Sequence, residues 1–304
     1  MPHILTLVSS SPEKPLTAEH IEHAAVVTQD ITNHDSAAPH WIEEQKAAEI
    51  SLIAPPEDQK MPFLNILREK LATDKIDVFL TPKAGRIKKL LLADMDSTIV
   101  TGETLDDLAE FAGIKDEVAA ITARAMNGEL DFHAAIRERV GLLKGLSTQA
   151  MNKTLDAIAL SPGAKEFITT MRNNGVTCVL VSGGFTFFTA AIAEKVGFHH
   201  NHGNTLGIDE KAQSLTGEVI PPILDKHAKV DFLKLYMEKL NLQPEHCLTI
   251  GDGANDIPML DMAQKGNGLG IGYHPKPAVT NTILNQIVHG DLSAALYAQG
   301  LKPA

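Results

Sequence analysis

The chain has 304 residues, room for one large domain or two modest ones. Its 44% hydrophobic and 21% charged residues are ordinary for a globular protein, and a net charge of −11 argues against a nucleic-acid or anionic-membrane surface. No run approaches the roughly 20 apolar residues of a membrane span. "MPHILTLVSSSPEKP" has no basic leader, and Cys178 and Cys247 each sit in an apolar strand-like run. The expectation is a cytoplasmic protein with reduced thiols, binding no nucleic acid and no membrane.

Residues 1–83 alternate short strands and helices. "HILTLVS" reads as a strand, "TAEHIEHAAVVTQ" as a helix, "HWIEE" and "AAEISLIA" as strands, "MPFLNILREKL" as a helix and "IDVFLT" as a strand. That order, βαββαβ, predicts a small helix-on-sheet domain over 1–83, with "TPKAG" as a linker because Pro and Gly break both periodicities. A second domain is expected over 84–304. It opens on the strand "KKLLLAD", and four helical patterns then follow with no strand signal, which predicts a helical insertion over about 101–160. "SPGAKEFITTMRNNG" reads as a further helix with Ser161 at its N-cap and Pro162 at its first position. Strands "VTCVLVSGG", "CLTIGDG" and "GLGIGY" then alternate with helices, as in a parallel sheet buried on both faces.

Ligands of open parallel sheets bind beyond the carboxyl ends of the strands. Three such ends carry polar clusters here: "ADMDST" (93–98), "VSGGF" (181–185) and "IGDGAND" (250–256). Brought to one rim, they give Asp94, Asp96, Asp252 and Asp256 a shared cavity. Two unit charges ~4 Å apart interact by about 4 kcal/mol at an effective dielectric of ~20, so such a cluster calls for a bound cation or protons. An all-oxygen site with room for water suits Mg²⁺. An EF-hand calcium loop is excluded, because Ile99 and Leu105 stand where Gly and Glu are required. Ser182, Gly183 and Gly184 precede a helix and can present backbone N–H groups to a phosphate, with Lys229 at the start of a later helix adding charge. "GNGLGIG" has the wrong spacing for a nucleotide loop.

An aspartate can attack phosphorus while a second carboxyl serves the leaving group, which is a phosphotransfer chemistry. Read singly, Lys229 is a solvated first-turn lysine, Glu103 a helix-dipole partner and Arg139 a solvated salt-bridge residue. His199–His202 reads as a polar loop, not a metal site.

"DMDST", "SGG", the lysine and "GDGAND", in that order, resemble the haloacid-dehalogenase (HAD) phosphotransferase superfamily. "DMDSTIVTGETLDDLAEFAG", "ARAMNGELDFHAAIRERVGLLKGL", "LVSGGFTFF" and "IGDGANDIPML" are similar to its phosphoserine phosphatase family over roughly residues 88–290. The resemblance implies an α/β, Rossmann-like parallel-sheet core with a helical cap. It implies Mg²⁺-dependent hydrolysis of O-phospho-L-serine through an aspartyl-phosphate, the last step of serine biosynthesis. Asp94 is then the nucleophile and Asp96 the general acid/base. Asp94, the Asp96 carbonyl and Asp252 hold Mg²⁺, with Asp256 acting through these ligands. Ser182, Gly183, Lys229 and Asn255 take the phosphoryl group. Glu103 takes the substrate ammonium and Arg139 its carboxylate, with Met126 and Phe132 lining the cap. The first domain is similar to ferredoxin-like ACT domains, although "SSSPEKPLT" lacks the glycine of their ligand-binding loops. Serine sensing and homodimerisation through that domain both stay open. The rival readings are a HAD phosphatase for another small phosphomonoester and an amino-acid-binding regulatory protein.

Overall fold

The structure, a computed structural model, describes residues 2–34, 36–126 and 129–304, apart from the side chains of Met126 and Lys226. The chain opens with β1 (Pro2–Ser9), α1 (Ala18–Thr32), β2 (His40–Glu43), β3 (Ala47–Ile53), α2 (Glu57–Leu71) and β4 (Ile76–Pro82). These strands form an antiparallel sheet in the order β2-β3-β1-β4, the arrangement of a ferredoxin-like fold. Helix α1 starts where Thr17 accepts from the His20 N–H and the His20 ring answers the Thr17 N–H. Helix α2 starts four residues before the sequence pattern suggests. Glu57 and Asp58 favour its positive end, and Pro62 lies inside the helix instead of opening it.

After β5 (Leu90–Ala93) come α3 (Thr104–Ala112), α4 (Lys115–Met126), α5 (Phe132–Gly141) and α6 (Thr148–Ala157), the expected run of four helices. The chain leaves and re-enters the core at one neck, where Val100 bridges Leu160 and Ser161 N–H donates to the Ile99 carbonyl. The Ser161 side chain hydrogen-bonds with Tyr273 and does not cap the helix that follows. Gly163, at φ +75°, is the cap of α7 (Ala164–Asn173), a backbone angle that favours glycine. Then follow β6 (Thr177–Phe185), α8 (Thr186–Val196), β7 (His200–Asp209), β8 (Ser214–Ile220), α9 (Lys226–Leu240), β9 (Cys247–Gly251), α10 (Ile257–Lys265), β10 (Leu269–Tyr273), α11 (Pro277–Thr280), β11 (Asn285–Ile287) and α12 (Ala294–Tyr297). The last three elements lie beyond the pattern read from the sequence.

The large sheet runs β11-β10-β9-β5-β6-β7-β8, parallel except for the β7–β8 hairpin at one edge. Period two divides β5 between two cores: Leu91 and Ala93 join one cluster, Leu90 and Leu92 the other, all fully buried. Burying a leucine side chain contributes about 1.5–3 kcal/mol, so this short central strand is well anchored. His200 and His202 lie on β7, not in a polar loop. His202 stacks on Phe232 at 3.9 Å and its Nε2 meets the Tyr236 hydroxyl at 2.9 Å, so burial against aromatic rings wins over solvation.

The two sheets are joined edge to edge by side chains. Asn285 Oδ1 accepts the Leu80 N–H (2.8 Å) and its Nδ2 donates to the Leu80 carbonyl (3.2 Å), so an amide stands in for a strand partner. The buried Asp77 carboxylate accepts from the N–H groups of Val288, His289 and Gly290 at 2.8, 3.1 and 2.8 Å, and from the Ser10 hydroxyl. Arg86 spans Glu49 and Thr6 on one side and the carbonyls of Tyr297 and Ala298 on the other. Helices α1 and α2 cover one face of the small sheet, while Val8, Ile42, Ala47 and Phe79 on its other face share a core with Leu296 and Tyr297.

Asp77→Ala strands three backbone donors in this seam. Leaving a buried donor unsatisfied costs about 1–3 kcal/mol, so urea denaturation should show a loss of at least about 2 kcal/mol. Both sheets should melt in one transition, and two resolved transitions in the wild-type chain would refute the seam as a stabilising contact.

Candidate active site

Strand β5 lies between β6 and β9, both parallel to it, so the three polar strand ends share one rim. Asp94 follows the last residue of β5, and the chain then turns tightly: the Met95 carbonyl accepts from the N–H groups of Thr98, Ile99 and Val100. Asp96 therefore reaches the cavity from this turn, not from strand alternation. Ser97 takes the left-handed conformation at φ +54°, a strain of order 1–3 kcal/mol for a non-glycine residue. Its N–H to the Gly102 carbonyl and its hydroxyl to Glu103 Oε1 (2.8 Å) hold it there.

At the floor, Lys229 Nζ lies 2.6 Å from Asp94 Oδ1 and 2.5 Å from Asp256 Oδ1, with all three side chains buried. Lys229 sits one turn inside α9 rather than at its start, because Asp225 caps the helix by accepting from His227 and Ala228 N–H. Burial works against the Lys229 charge, but Asp256 and Asp94 outweigh it and raise its pKa, so it stays an ammonium. Asp256 Oδ2 accepts the N–H groups of Asp252 and Gly253 at 3.1 and 3.0 Å, which folds the GDGAND loop around it. A Cβ on Gly251 would come within 2.4 Å of the Asp256 Cγ, so only glycine admits this approach.

Asp94, Asp252 and Asp256 bring one carboxylate oxygen each within 4.8 Å of one another. Three buried carboxylates thus share one buried ammonium. Desolvation, then the Asp256 charge, pushes Asp94 well above the usual carboxylate range despite Lys229; burial also raises Asp252, against the pull of Lys276. This donor set suits a hard cation. The Asp96 side chain stands outside it: Oδ1 accepts the Thr104 N–H and Oδ2 the Ser182 hydroxyl, both at 2.8 Å. A Cβ on Gly184 would lie 3.0 Å from both Asp96 Oδ2 and Ser182 Oγ, so that glycine makes room for the pair.

Above the floor is a cavity of about 440 Å³. Asp94, Asp96, Ser182, Gly183, Asp252 and Asn255 line its core side; Glu103, Phe132 and Arg139 line the cap side. Lys229 and Asp256 lie beneath it, and the Met126 side chain falls outside the described residues. Burial, then Asp96, raises Glu103; desolvation lowers Arg139, with Asp106 and Glu103 opposing. Among the described residues Arg139 makes no ion pair, and its Nε and the Thr104 hydroxyl are buried without a hydrogen-bond partner. Thr104 and Lys276 also line the cavity and escape the motif reading. Lys276 follows β10 in "GYHPKP", so the strand-end rule that singled out the other loops applies to it equally.

The haloacid dehalogenase-like hydrolase family model matches residues 91–261. A probable phosphoserine phosphatase of Schizosaccharomyces pombe is 38% identical over 232 residues, which is 76% of each chain. A HAD family hydrolase of Salmonella enterica serovar Typhi superposes with a TM-score of 0.82 at 26% identity, covering 98% of both chains. A substrate-bound phosphoserine phosphatase complex gives a TM-score of 0.63 at 36% identity, over 69% of this chain and 97% of that one.

The surplus of buried negative charge generates a prediction about cations. A carboxyl whose pKa is raised on folding keeps a proton that the unfolded chain has released. Metal-free protein should therefore lose stability as pH rises above the ordinary carboxylate range. Mg²⁺ should reverse this, by about 2.7 kcal/mol at a hundredfold excess over its Kd. Thermal melts with and without chelator check it, and Asp252→Asn should abolish most of the gain. An unchanged melting temperature on adding Mg²⁺ would contradict the reading of the carboxylate cluster.

Proposed function

The chain belongs to the haloacid dehalogenase-like hydrolases, and we propose that it hydrolyses O-phospho-L-serine to L-serine and phosphate. One observation carries the substrate: the unpaired Arg139 and the carboxylate of Glu103 line the same cavity as Asp94. Phosphoserine carries an ammonium and a carboxylate besides its phosphate. A carboxylate partner satisfies the orphaned Arg139 donor, and an ammonium satisfies Glu103. A phosphomonoester without these charges leaves the Arg139 donor unmet and leaves Glu103 only its Ser97 and Lys276 partners.

The Asp94 carboxylate attacks phosphorus and the bond to the serine oxygen breaks. Asp96, held by Thr104 and Ser182, gives that oxygen its proton and then removes one from the water that cleaves the aspartyl-phosphate. Ser182, Gly183 and Asn255 line the phosphate end, and Lys229 fixes the Asp94 oxygen from below. Asp94, Asp252 and the Asp96 carbonyl would hold Mg²⁺, with Asp256 behind them; the ion would neutralise phosphate charge. The product places the reaction at the end of serine biosynthesis. The two buried, unpaired thiols support a reducing compartment such as the cytoplasm. The small antiparallel sheet supports an ACT-like unit over residues 1–83, offering a surface for homodimerisation.

Asp94→Asn should abolish turnover while circular dichroism stays native, because the amide keeps the shape but is a poor nucleophile. Truncating one partner of a buried charge pair costs about 2–5 kcal/mol, or roughly 30- to 5,000-fold. Glu103→Gln and Arg139→Ala should each lower kcat/KM for phosphoserine by at least about tenfold. An aryl phosphate lacking both charges should be affected much less. Equal losses on both substrates would count against recognition of the amino-acid end.

A further inference from the structure

Lys276 is anchored by its backbone before its side chain begins. His274 N–H donates to the Ile287 carbonyl (2.8 Å) and Lys276 N–H to the Asp252 carbonyl (2.9 Å), so β11 and the GDGAND loop both fix this turn. Its ammonium lies 2.9 Å from Asp252 Oδ2 and 3.7 Å from Glu103 Oε1. The Ser97 hydroxyl holds that same Glu103 oxygen at 2.8 Å. One oxygen of each carboxylate is thereby engaged, and the other is left to the cavity that both residues line. Asp252 belongs to the three-carboxylate floor and Glu103 is the N-cap of α3, on the cap side. Among the described residues no other cation pairs with either of them.

We infer that Lys276 is a positioning residue that sets Asp252 and Glu103 together, coupling the cation-binding end of the cavity to the end that takes the substrate ammonium. The Glu103 half rests on the phosphoserine reading; the Asp252 half does not. Two effects of the ammonium oppose each other. It repels any cation bound at Asp252, and it keeps the Asp252 carboxylate from turning away. The Lys276 side chain is 58% exposed, so water screens the repulsion, whereas the Asp252 side chain is only 6% exposed and has no solvent partner to replace the lost one. Orientation wins, and removing the ammonium weakens cation binding.

The test compares Lys276→Met and Lys276→Arg with the wild-type chain, each checked for native circular dichroism. Calorimetry with Mg²⁺ alone should show Lys276→Met binding at least about tenfold more weakly, the usual effect of losing a partner behind a metal ligand. Lys276→Arg should recover most of that loss. At saturating Mg²⁺, the KM of Lys276→Met for phosphoserine should rise by at least about fivefold, while that for the amine-free 3-phosphooxypropanoate stays the same. Unchanged or tighter Mg²⁺ binding in Lys276→Met overturns the proposal, and so do equal KM changes on the two substrates. Absence of phosphoserine turnover in the wild-type chain is a separate failure, of the substrate reading, and the calorimetry still decides the Asp252 half.

Discussion

The site depends on one buried ammonium set among three buried carboxylates. Lys229 touches Asp94 and Asp256 directly, and Asp256 in turn ties down the backbone of Asp252 and Gly253. Remove Lys229 and only the half-exposed Lys276, on Asp252, opposes the three buried carboxylates. With both lysines the carboxylates still outnumber the ammoniums, and that surplus of negative charge attracts a hard cation, through which a phosphate can be held. The Gly251 and Gly184 positions follow from the same crowding, since any side chain there would strike the carboxylates that the charges hold in place.

Around this floor the charges are graded from dry to wet. Lys229 and Asp256 are sealed beneath the cavity, Asp94 and Asp252 are buried at its edge, and Glu103 and Lys276 are half exposed. The bond-making end is therefore preorganised in low dielectric, where fixed charges act most strongly. Arg139, partly buried on the cap side, has no ion pair among the described residues and an unsatisfied Nε, with only the charges of Asp106 and Glu103 opposing its desolvation. Such a cost is sustained where a ligand returns it. The four cap helices present that residue, and the β8 strand braces them from the core through the Gly145–Leu215 and Leu215–Leu146 backbone bonds.

The N-terminal sheet is fused to the catalytic sheet rather than tethered to it. Asp77 and Asn285 act as side-chain splices between β4 and the β11 edge, and β11 supports the turn that carries Lys276. A strain at this seam has a short covalent and hydrogen-bonded route to Asp252.

Much of this was legible in the residues. The βαββαβ order, the four-helix insertion and the alternating strands follow from periodicity and from Gly and Pro punctuation, which are local properties. "DMDST", "SGG" and "GDGAND" announce their chemistry because carboxylates and glycines at the ends of apolar strands conflict with burial unless a ligand resolves the conflict. The edge-to-edge splice was not legible, because Asp77 lies in a run that reads simply as strand, Asn285 lies beyond the last pattern read, and their partners are some two hundred residues away. The same holds for Lys276, whose meaning comes only from lying between Asp252 and Glu103. Local sequence determined which segments fold and which loops carry charge. Only the tertiary structure decided which charges meet, because ion pairing is set by distance across the sheet, and no periodicity along the chain encodes that distance.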